Sequence, residues 1–158
     1  GVDADEPWIA MRFVDGRTLA SSIARDREAG RSCASPGERS FDGAAAVRAV
    51  VECAARVART LQFAHEQGIV HRDVKPSNIM VAAGERIVLL DLGLAVHVDR
   101  HDRELAGTVE YIAPEQVGGR PASPPVDLYG LGVVAFELLT GRTPFEGAPP
   151  WLGRLRRS

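Results

Sequence analysis

The stretch of sequence that decides the fold prediction is HRDVKPSN, at residues 71–78. Short apolar runs at 69–70 and 79–82 flank it and predict two small strands separated by turns. Lys75 is the single lysine of the chain, and Asn78 is its single asparagine. A composition that uses each of these residues once, three positions apart, indicates a functional segment. Asp73 in isolation would normally be a solvated turn residue.

Further motifs follow in a fixed order. Eighteen residues after Asp73 the chain reads Asp-Leu-Gly at 91–93, directly after the apolar run 87–90. Gly-Thr at 107–108, Ala-Pro-Glu at 113–115 and Asp127 come next. No single one of these motifs is specific, but their order and spacing together are.

Phosphoryl transfer requires the residue types that these motifs supply. A hydroxyl nucleophile needs a carboxylate that aligns it and accepts its proton. The transferred group needs positive charge, and magnesium prefers hard oxygen ligands. Asp73, Lys75, Asn78 and Asp91 supply a base, a fixed cation, an amide oxygen and a second carboxylate. Turns between short strands can bring all four to one edge.

This ordered set resembles the eukaryotic-type (Hanks-type) serine/threonine protein kinases over roughly residues 7–146. The resemblance implies an α+β fold: a protein-kinase-like C-terminal lobe, mainly α-helical, with short β-strands around the catalytic loop and with the N-lobe absent. Residues 1–147 are expected to form a partial kinase domain, comprising the hinge and the C-lobe through its buried helix. Residues 148–158 form a Pro- and Arg-rich tail without an assigned structure.

The resemblance also implies the catalytic residues. Asp73 would be the base for the substrate hydroxyl, and Lys75 would neutralise the transferred phosphate. Thr108 would contact the catalytic loop and help to accept a Ser or Thr substrate. Glu115 and Asp127 would be structural.

Nucleotide and metal residues follow from the same resemblance. Mg²⁺ would be bound by Asn78 and Asp91, which with Lys75 would hold the phosphates of ATP. Met11 resembles the gatekeeper before the hinge, Val14 a hinge residue beside adenine, and Met80 part of the floor of the adenine pocket.

The implied function is transfer of the ATP γ-phosphate to Ser or Thr hydroxyls of protein substrates. The family's Gly-rich loop, strand lysine and partner glutamate precede the hinge, so the 158 residues alone are expected to be inactive. The alternative is a catalytically inactive, kinase-like binding module. A pseudokinase is disfavoured because the catalytic residues are kept.

Composition limits the other classes of function. The chain has a net charge of −2 and 6% aromatic residues, which argue against a nucleic-acid-binding surface. Cys33 and Cys53 match no metal or redox spacing, so a reducing, cytoplasmic location is expected. Membrane attachment would require a transmembrane segment of the parent protein outside these residues.

Two other patterns are set aside. Histidines and aspartates at 97–102 have a spacing that could bind a metal, but a polar loop is the preferred interpretation. Residues 130–135 mimic a dinucleotide fingerprint, yet they lie inside a predicted helix rather than between a strand and a helix.

Periodicity predicts the remaining elements. A strand is expected at 7–14 and a turn at 15–16, followed by a helix at 18–28 with Thr18 as N-cap. The clearest helix is 43–67, with Gly68 as its C-cap. A strand is expected at 87–90. A helix at 126–139, apolar on nearly every side, should be buried and should end at Gly141.

Overall fold

A computed structural model describes residues 2–3, 6–7, 13–28, 43–91, 95–97, 108–117 and 121–145. The strands are β1 (Val2–Asp3), β2 (Glu6–Pro7), β3 (Gly16–Thr18), β4 (Ile69–Val70), β5 (Ile79–Ala82), β6 (Arg86–Leu89) and β7 (Val96–His97). The α-helices are α1 (Leu19–Glu28), α2 (Gly43–Glu66), α3 (Pro114–Val117) and α4 (Pro124–Thr140). Short 3₁₀ turns occupy Pro76–Asn78, Ala83–Glu85 and Val109–Tyr111. The fold is α+β, as predicted.

A three-stranded antiparallel sheet, in the order β3-β5-β6, supports the segment around residues 71–78. The predicted turn at 15–16 was wrong at Gly16, because Gly16 is the first residue of β3 and pairs with Ala82. A Cβ at Gly16 would lie 2.6 Å from the carbonyl oxygen of Val81, so glycine is what allows the two strands to approach. Residues 13–15 are not a strand, and 8–12 lie outside the described residues.

Helix α1 begins as predicted. The backbone N–H of Ser21 donates to Oγ1 of Thr18 at 3.2 Å, which makes Thr18 the N-cap. Leu19 and Ile23 form the buried face of the helix. The buried face packs α1 against residues 76–78, at the end of the segment 71–78.

Helix α2 supplies the centre of the core. Val57 and Leu61 are fully buried and pack in one cluster with Val134 of α4. The helix ends at Glu66 and is closed by Gly68, whose φ of 74° is left-handed and whose N–H donates to the carbonyl of His65. The apolar residues at helical spacing begin before the buried part of α2, because Val47 and Val51 near its start are exposed.

Helix α4 crosses α2 and was predicted to be buried on nearly every side. That prediction was wrong for one face, since Leu128 is 52% and Phe136 is 38% exposed. On the opposite face, a Cβ at Gly130 would lie 3.0 Å from the carbonyl oxygen of Val74, so glycine lets α4 approach the segment 71–78. Gly141 ends the helix in a left-handed conformation, with φ 74°. Within the described part of the chain, every helix is too short or too polar to cross a bilayer.

Candidate active site

The carboxylate of Asp73 is the centre of the site. Asp73 is only 5% exposed, and both of its carboxylate oxygens are engaged. Oδ1 accepts hydrogen bonds from the backbone N–H and the hydroxyl of Thr108, each at 3.1 Å. Oδ2 accepts from Nδ2 of Asn78 at 2.8 Å and forms an ion pair with Nζ of Lys75 at 2.6 Å. The carboxylate is therefore fixed in one orientation.

Lys75 links two parts of the chain that are far apart in sequence. Its Nζ donates to the hydroxyl of Thr108 at 2.7 Å while it pairs with Asp73. The contact predicted between Thr108 and the catalytic loop is therefore present, made by both Asp73 and Lys75. The lysine side chain is 23% exposed.

Asn78 has an amide group whose orientation follows from its hydrogen bonds. Nδ2 donates to the backbone carbonyl of Asp73 at 3.0 Å and to Oδ2 of the same residue at 2.8 Å. Both amide hydrogens are thus directed at Asp73, and the amide oxygen points away from it. An amide oxygen is a hard ligand of the kind that Mg²⁺ accepts.

Asp91 follows a backbone hydrogen bond that ties its segment to the loop of residues 71–78. The N–H of Leu90 donates to the carbonyl oxygen of Asn78 at 2.8 Å, so Asp91 follows a residue that is tied to the catalytic loop. Asp91 is exposed and has a φ of 56°, a left-handed conformation that aspartate tolerates better than most residues. No group of three His, Cys, Asp or Glu side chains suited to a metal occurs in the ranges described. A cation here would combine the two oxygen ligands with phosphate and water.

His71 is a buried packing residue, and its two ring nitrogens have different roles. Nε2 lies 3.0 Å from the carbonyl oxygen of Leu90, and Nδ1 accepts the N–H of Asp73 at 3.3 Å. Because a carbonyl can only accept, the proton is on Nε2. The buried ring therefore links Leu90, the residue before Asp91, to the backbone of Asp73.

A second carboxylate, Asp127 of α4, holds the backbone just before Asp73. It is 1% exposed and accepts the N–H of His71 at 2.9 Å and the N–H of Arg72 at 2.8 Å. Nε2 of His65 lies 2.7 Å from the same carboxylate. Arg72 is held in a left-handed conformation, with φ 69°. Asp127 thus has the structural role that was expected of it.

The electrostatic balance at Asp73 favours its ionised form. Burial by itself raises the pKa of this carboxyl group, but the hydrogen bond and charge of Lys75 and the hydrogen bonds from Thr108 outweigh burial. The pKa of Asp73 is therefore below its ordinary value. At neutral pH the carboxylate can accept a proton.

The predicted adenine residues are placed only in part. Met80 of β5 pairs with Thr18 of β3, and it is half-buried. Val14 lies two residues before β3 and is also half-buried. Met11, and Leu92 beside Asp91, lie outside the described residues.

Sequence reasoning missed a polar group next to the site. Glu137 of α4 accepts a hydrogen bond from the hydroxyl of Tyr111 at 2.5 Å and forms an ion pair with Arg27 of α1 at 3.1 Å. Burial first, and then the hydrogen bond to Glu137, raise the pKa of Tyr111. Tyr111 is 26 positions and Arg27 is 110 positions from Glu137 in the sequence, so no local sequence pattern could predict these contacts.

Comparison with known proteins identifies one family. Residues 3–150 match the family described as Protein kinase domain. Serine/threonine-protein kinase PknB of Mycolicibacterium smegmatis is 34% identical over 150 residues, which cover 91% of this chain and 21% of that protein. A probable serine/threonine-protein kinase of Corynebacterium efficiens is 38% identical over 151 residues, covering 92% of this chain and 20% of that protein.

Serine/threonine-protein kinase PknA of Mycobacterium tuberculosis is 35% identical over 144 residues, covering 89% of this chain and 30% of that protein. The chain therefore spans between 20% and 30% of the length of these three relatives.

Proposed function

The chain belongs to the protein kinase family, and from this premise we propose that the protein transfers the γ-phosphate of ATP to Ser or Thr hydroxyls of protein substrates. The observation that carries the proposal is the convergence of four hydrogen-bond and charge donors on the buried carboxylate of Asp73. A buried carboxylate that is fixed on both oxygens and ionised at neutral pH suits a general base.

The reaction begins with alignment of the substrate. In the proposed mechanism the Asp73 carboxylate accepts the proton of the incoming hydroxyl as the hydroxyl oxygen attacks the γ-phosphorus of ATP, and the bond from that phosphorus to the bridging oxygen breaks so that ADP leaves. Thr108 holds Oδ1 of Asp73, which leaves the carboxylate facing one direction only. Its position beside the base also makes Thr108 the residue against which a Ser or Thr acceptor would lie.

Lys75 supplies positive charge where negative charge develops. Its Nζ is held by Asp73 and Thr108, so it lies beside both the base and the acceptor site. A cation fixed in advance stabilises the transferred phosphoryl group without reorganisation during the reaction. Lys75 would thus act both on ATP and on the orientation of Asp73.

Asn78 and Asp91 fit a magnesium ion that accompanies ATP. The amide oxygen of Asn78 is turned away from Asp73, and Asp91 carries an exposed carboxylate on the residue after Leu90. These two residues would hold Mg²⁺, which would offset the negative charge of the ATP phosphates. Val14, Met80 and Met11 are proposed to contact adenine. A cytoplasmic location is proposed because the free thiol of Cys53 suits a reducing compartment.

The test is phosphoryl transfer from radiolabelled ATP to a mixture of Ser- and Thr-containing peptides, measured on the full-length protein over a range of Mg²⁺ concentrations. Asp73→Asn should lower kcat by about 10²- to 10⁴-fold, the usual contribution of a general base, and leave the Mg²⁺ requirement unchanged. Asp91→Asn should instead raise the Mg²⁺ concentration needed for half-maximal rate.

The matched control is Glu66→Gln, an exposed position at the end of α2 that accepts a hydrogen bond from Gln62 of the same helix. It should retain the wild-type rate. A wild-type protein that transfers no phosphate at any Mg²⁺ concentration, or an Asp73→Asn variant that remains as active as the control, would refute the proposal and would favour the inactive binding module.

A further inference from the structure

A reciprocal pair of hydrogen bonds closes the start of α3. The backbone N–H of Ala113 donates to Oε1 of Gln116 at 2.9 Å, and the backbone N–H of Gln116 donates to the carbonyl oxygen of Ala113 at 3.0 Å. Ala113 is completely buried and Gln116 is 9% exposed, so both contacts lie in the protein interior. Gln116 therefore satisfies both polar backbone groups of Ala113.

The sequence explains why this contact depends on a glutamine. Ala113 precedes α3, at the N-cap position, and has no side-chain oxygen that could cap the helix. Gln116 is the third residue of α3, and from this position a Glu or Gln side chain can reach back to the N–H of the N-cap residue. Pro114, the first residue of α3, has no N–H of its own. The sequence Ala-Pro-Glu-Gln thus retains only the half of a capping box that Gln116 supplies.

This contact lies at one end of the chain segment that carries Thr108. At the other end, the N–H and the hydroxyl of Thr108 donate to Oδ1 of Asp73. Between the two ends, the N–H of Tyr111 donates to the carbonyl oxygen of Thr108 at 2.9 Å and closes a 3₁₀ turn. The segment 108–113 is thus held by Asp73 at its start and by Gln116 at its end.

A further contact, in the middle of the segment 108–113, acts on a side chain and not on the backbone. The hydroxyl of Tyr111 donates to Glu137 of α4. Rotation of the Tyr111 side chain allows the backbone to shift while that contact is kept. Gln116 instead holds the backbone N–H of Ala113 directly, so it restricts the path of the chain between Thr108 and α3.

We propose that Gln116 is a positioning residue: by accepting the buried N–H of Ala113, it holds the segment 108–113 so that Thr108 fixes Oδ1 of Asp73. This inference rests on the proposed kinase function. Gln116 is assigned no contact with ATP or with the peptide, and it acts through Thr108. Its loss should lower kcat and leave the KM for ATP unchanged, because the binding of adenine and Mg²⁺ is assigned to residues of other segments.

The experiment measures phosphate transfer from ATP to a Thr-containing peptide by the full-length protein, at a temperature at which circular dichroism shows every variant to be folded. Gln116→Met, which keeps the length of the side chain and removes the acceptor, should lower kcat about three- to tenfold, the range expected for one hydrogen bond. Gln116→Glu keeps an acceptor oxygen at the same length and should restore kcat to within about twofold of wild type. Gln62→Met is the same chemical change at an exposed position of α2 and should retain the wild-type rate.

Hydrogen exchange with mass spectrometry separates positioning from a general loss of stability. In Gln116→Met, exchange in peptides that contain Thr108 should accelerate about three- to tenfold relative to exchange in the middle of α2. In Gln116→Glu, exchange in the same peptides should stay at the wild-type rate. Gln116→Asn, which keeps the amide but is one methylene shorter, is the second variant should Gln116→Met not fold.

The outcomes distinguish this inference from the function on which it rests. Phosphate transfer with the same kcat in wild type, Gln116→Met and Gln116→Asn would overturn the inference and leave the kinase function standing. A lower kcat that Gln116→Glu does not restore, with exchange raised equally throughout the chain, would make the role of Gln116 purely structural and would also overturn the inference. Absence of transfer from wild type would overturn the proposed function, and unchanged exchange at Thr108 in Gln116→Met would then overturn the positioning role as well.

Discussion

Replacing Asp127 by Asn tests whether this one side chain holds the catalytic backbone. Asp127 is 1% exposed and receives the N–H groups of His71 and Arg72 on separate oxygens, with His65 as a third neighbour. Asn has the same shape but only one acceptor oxygen. One backbone N–H will therefore face an NH₂ group in the protein interior, where an alternative partner from water is not accessible.

The magnitude follows from these contacts. A hydrogen bond to a charged group contributes about 1.5–3 kcal/mol, and a buried donor left unsatisfied costs about 1–3 kcal/mol. We expect Asp127→Asn to lower the free energy of unfolding by about 2–4 kcal/mol. For a chain of this length the Tm should fall by about 5–15 °C. Asp127→Ala, which leaves both N–H groups without this acceptor, should cost about 3–6 kcal/mol.

Local loosening should accompany the loss of stability. Arg72 has a left-handed backbone conformation that costs about 1 kcal/mol or more for a residue with a Cβ. Without the Asp127 carboxylate, this strain favours opening of the segment before Asp73. Hydrogen exchange at residues 71–73 should therefore accelerate more than exchange in the middle of α2, and phosphoryl transfer should fall as Asp73 loses its orientation.

Urea unfolding followed by circular dichroism measures the global effect, and hydrogen exchange with mass spectrometry measures the local one. Asp15→Asn is the same chemical change at an exposed position and should stay within about 0.5 kcal/mol of wild type. The reasoning is wrong if Asp127→Asn unfolds at the same urea concentration as this control and exchange at residues 71–73 does not change.

Three further predictions concern stability. The pKa of Asp73 in the folded chain is below its ordinary value of 3.8, so its ionised form stabilises the fold above that pH, and this contribution is lost as the pH falls through the folded-state pKa. Urea unfolding between about pH 6 and about pH 2 should show a steeper loss of stability for wild type than for Asp73→Asn, and parallel curves would contradict the assignment. Gly141→Ala should lower the free energy of unfolding by about 1 kcal/mol because the φ of Gly141 is 74°. Gly132→Ala, on the open face of α4, should raise the free energy of unfolding by up to about 1 kcal/mol. A higher Tm for Gly141→Ala than for Gly132→Ala would disprove this. Gly16→Ala should lower the free energy of unfolding by about 1–3 kcal/mol because its Cβ would lie 2.6 Å from the β5 backbone. Gly43→Ala is the control, since its Cβ would meet no neighbour within 4 Å. Equal Tm values for the two variants would refute the close approach of β3 and β5.

The local elements were predictable because their signals are local. Helix α2 has apolar residues at helical spacing and was predicted to end at residue 67 before Gly68. The structure confirms the end within one residue, at Glu66, and gives Gly68 the left-handed conformation of a C-cap. The Thr18 N-cap is a hydrogen bond over three residues, which a sequence pattern can contain. The prediction for residues 15–16 was wrong because a glycine before a helix indicates a turn, whereas Gly16 is there for a strand partner more than 60 residues away.

The sequence grouped the candidate residues but did not give their geometry. The unique Lys75 and Asn78 and their spacing from Asp73 predicted one group, and the structure joins these three to Thr108. What orients them was not visible in the sequence. Asp127 acts on the backbone of residues 71 and 72 from 55 and 56 positions away.

The sequence by itself determined the residue types available to the site. It also determined the helices and their ends, because spacing, capping and backbone preference act over a few neighbouring residues. Tertiary structure alone decided which carboxylates are fixed, neutralised or exposed. Asp73 lies between Lys75 and Thr108, Glu137 is neutralised by Arg27, and one apolar face of α4 is left open. Charge, burial and orientation depend on neighbours that only the folded chain brings together, and residue types in order do not specify them.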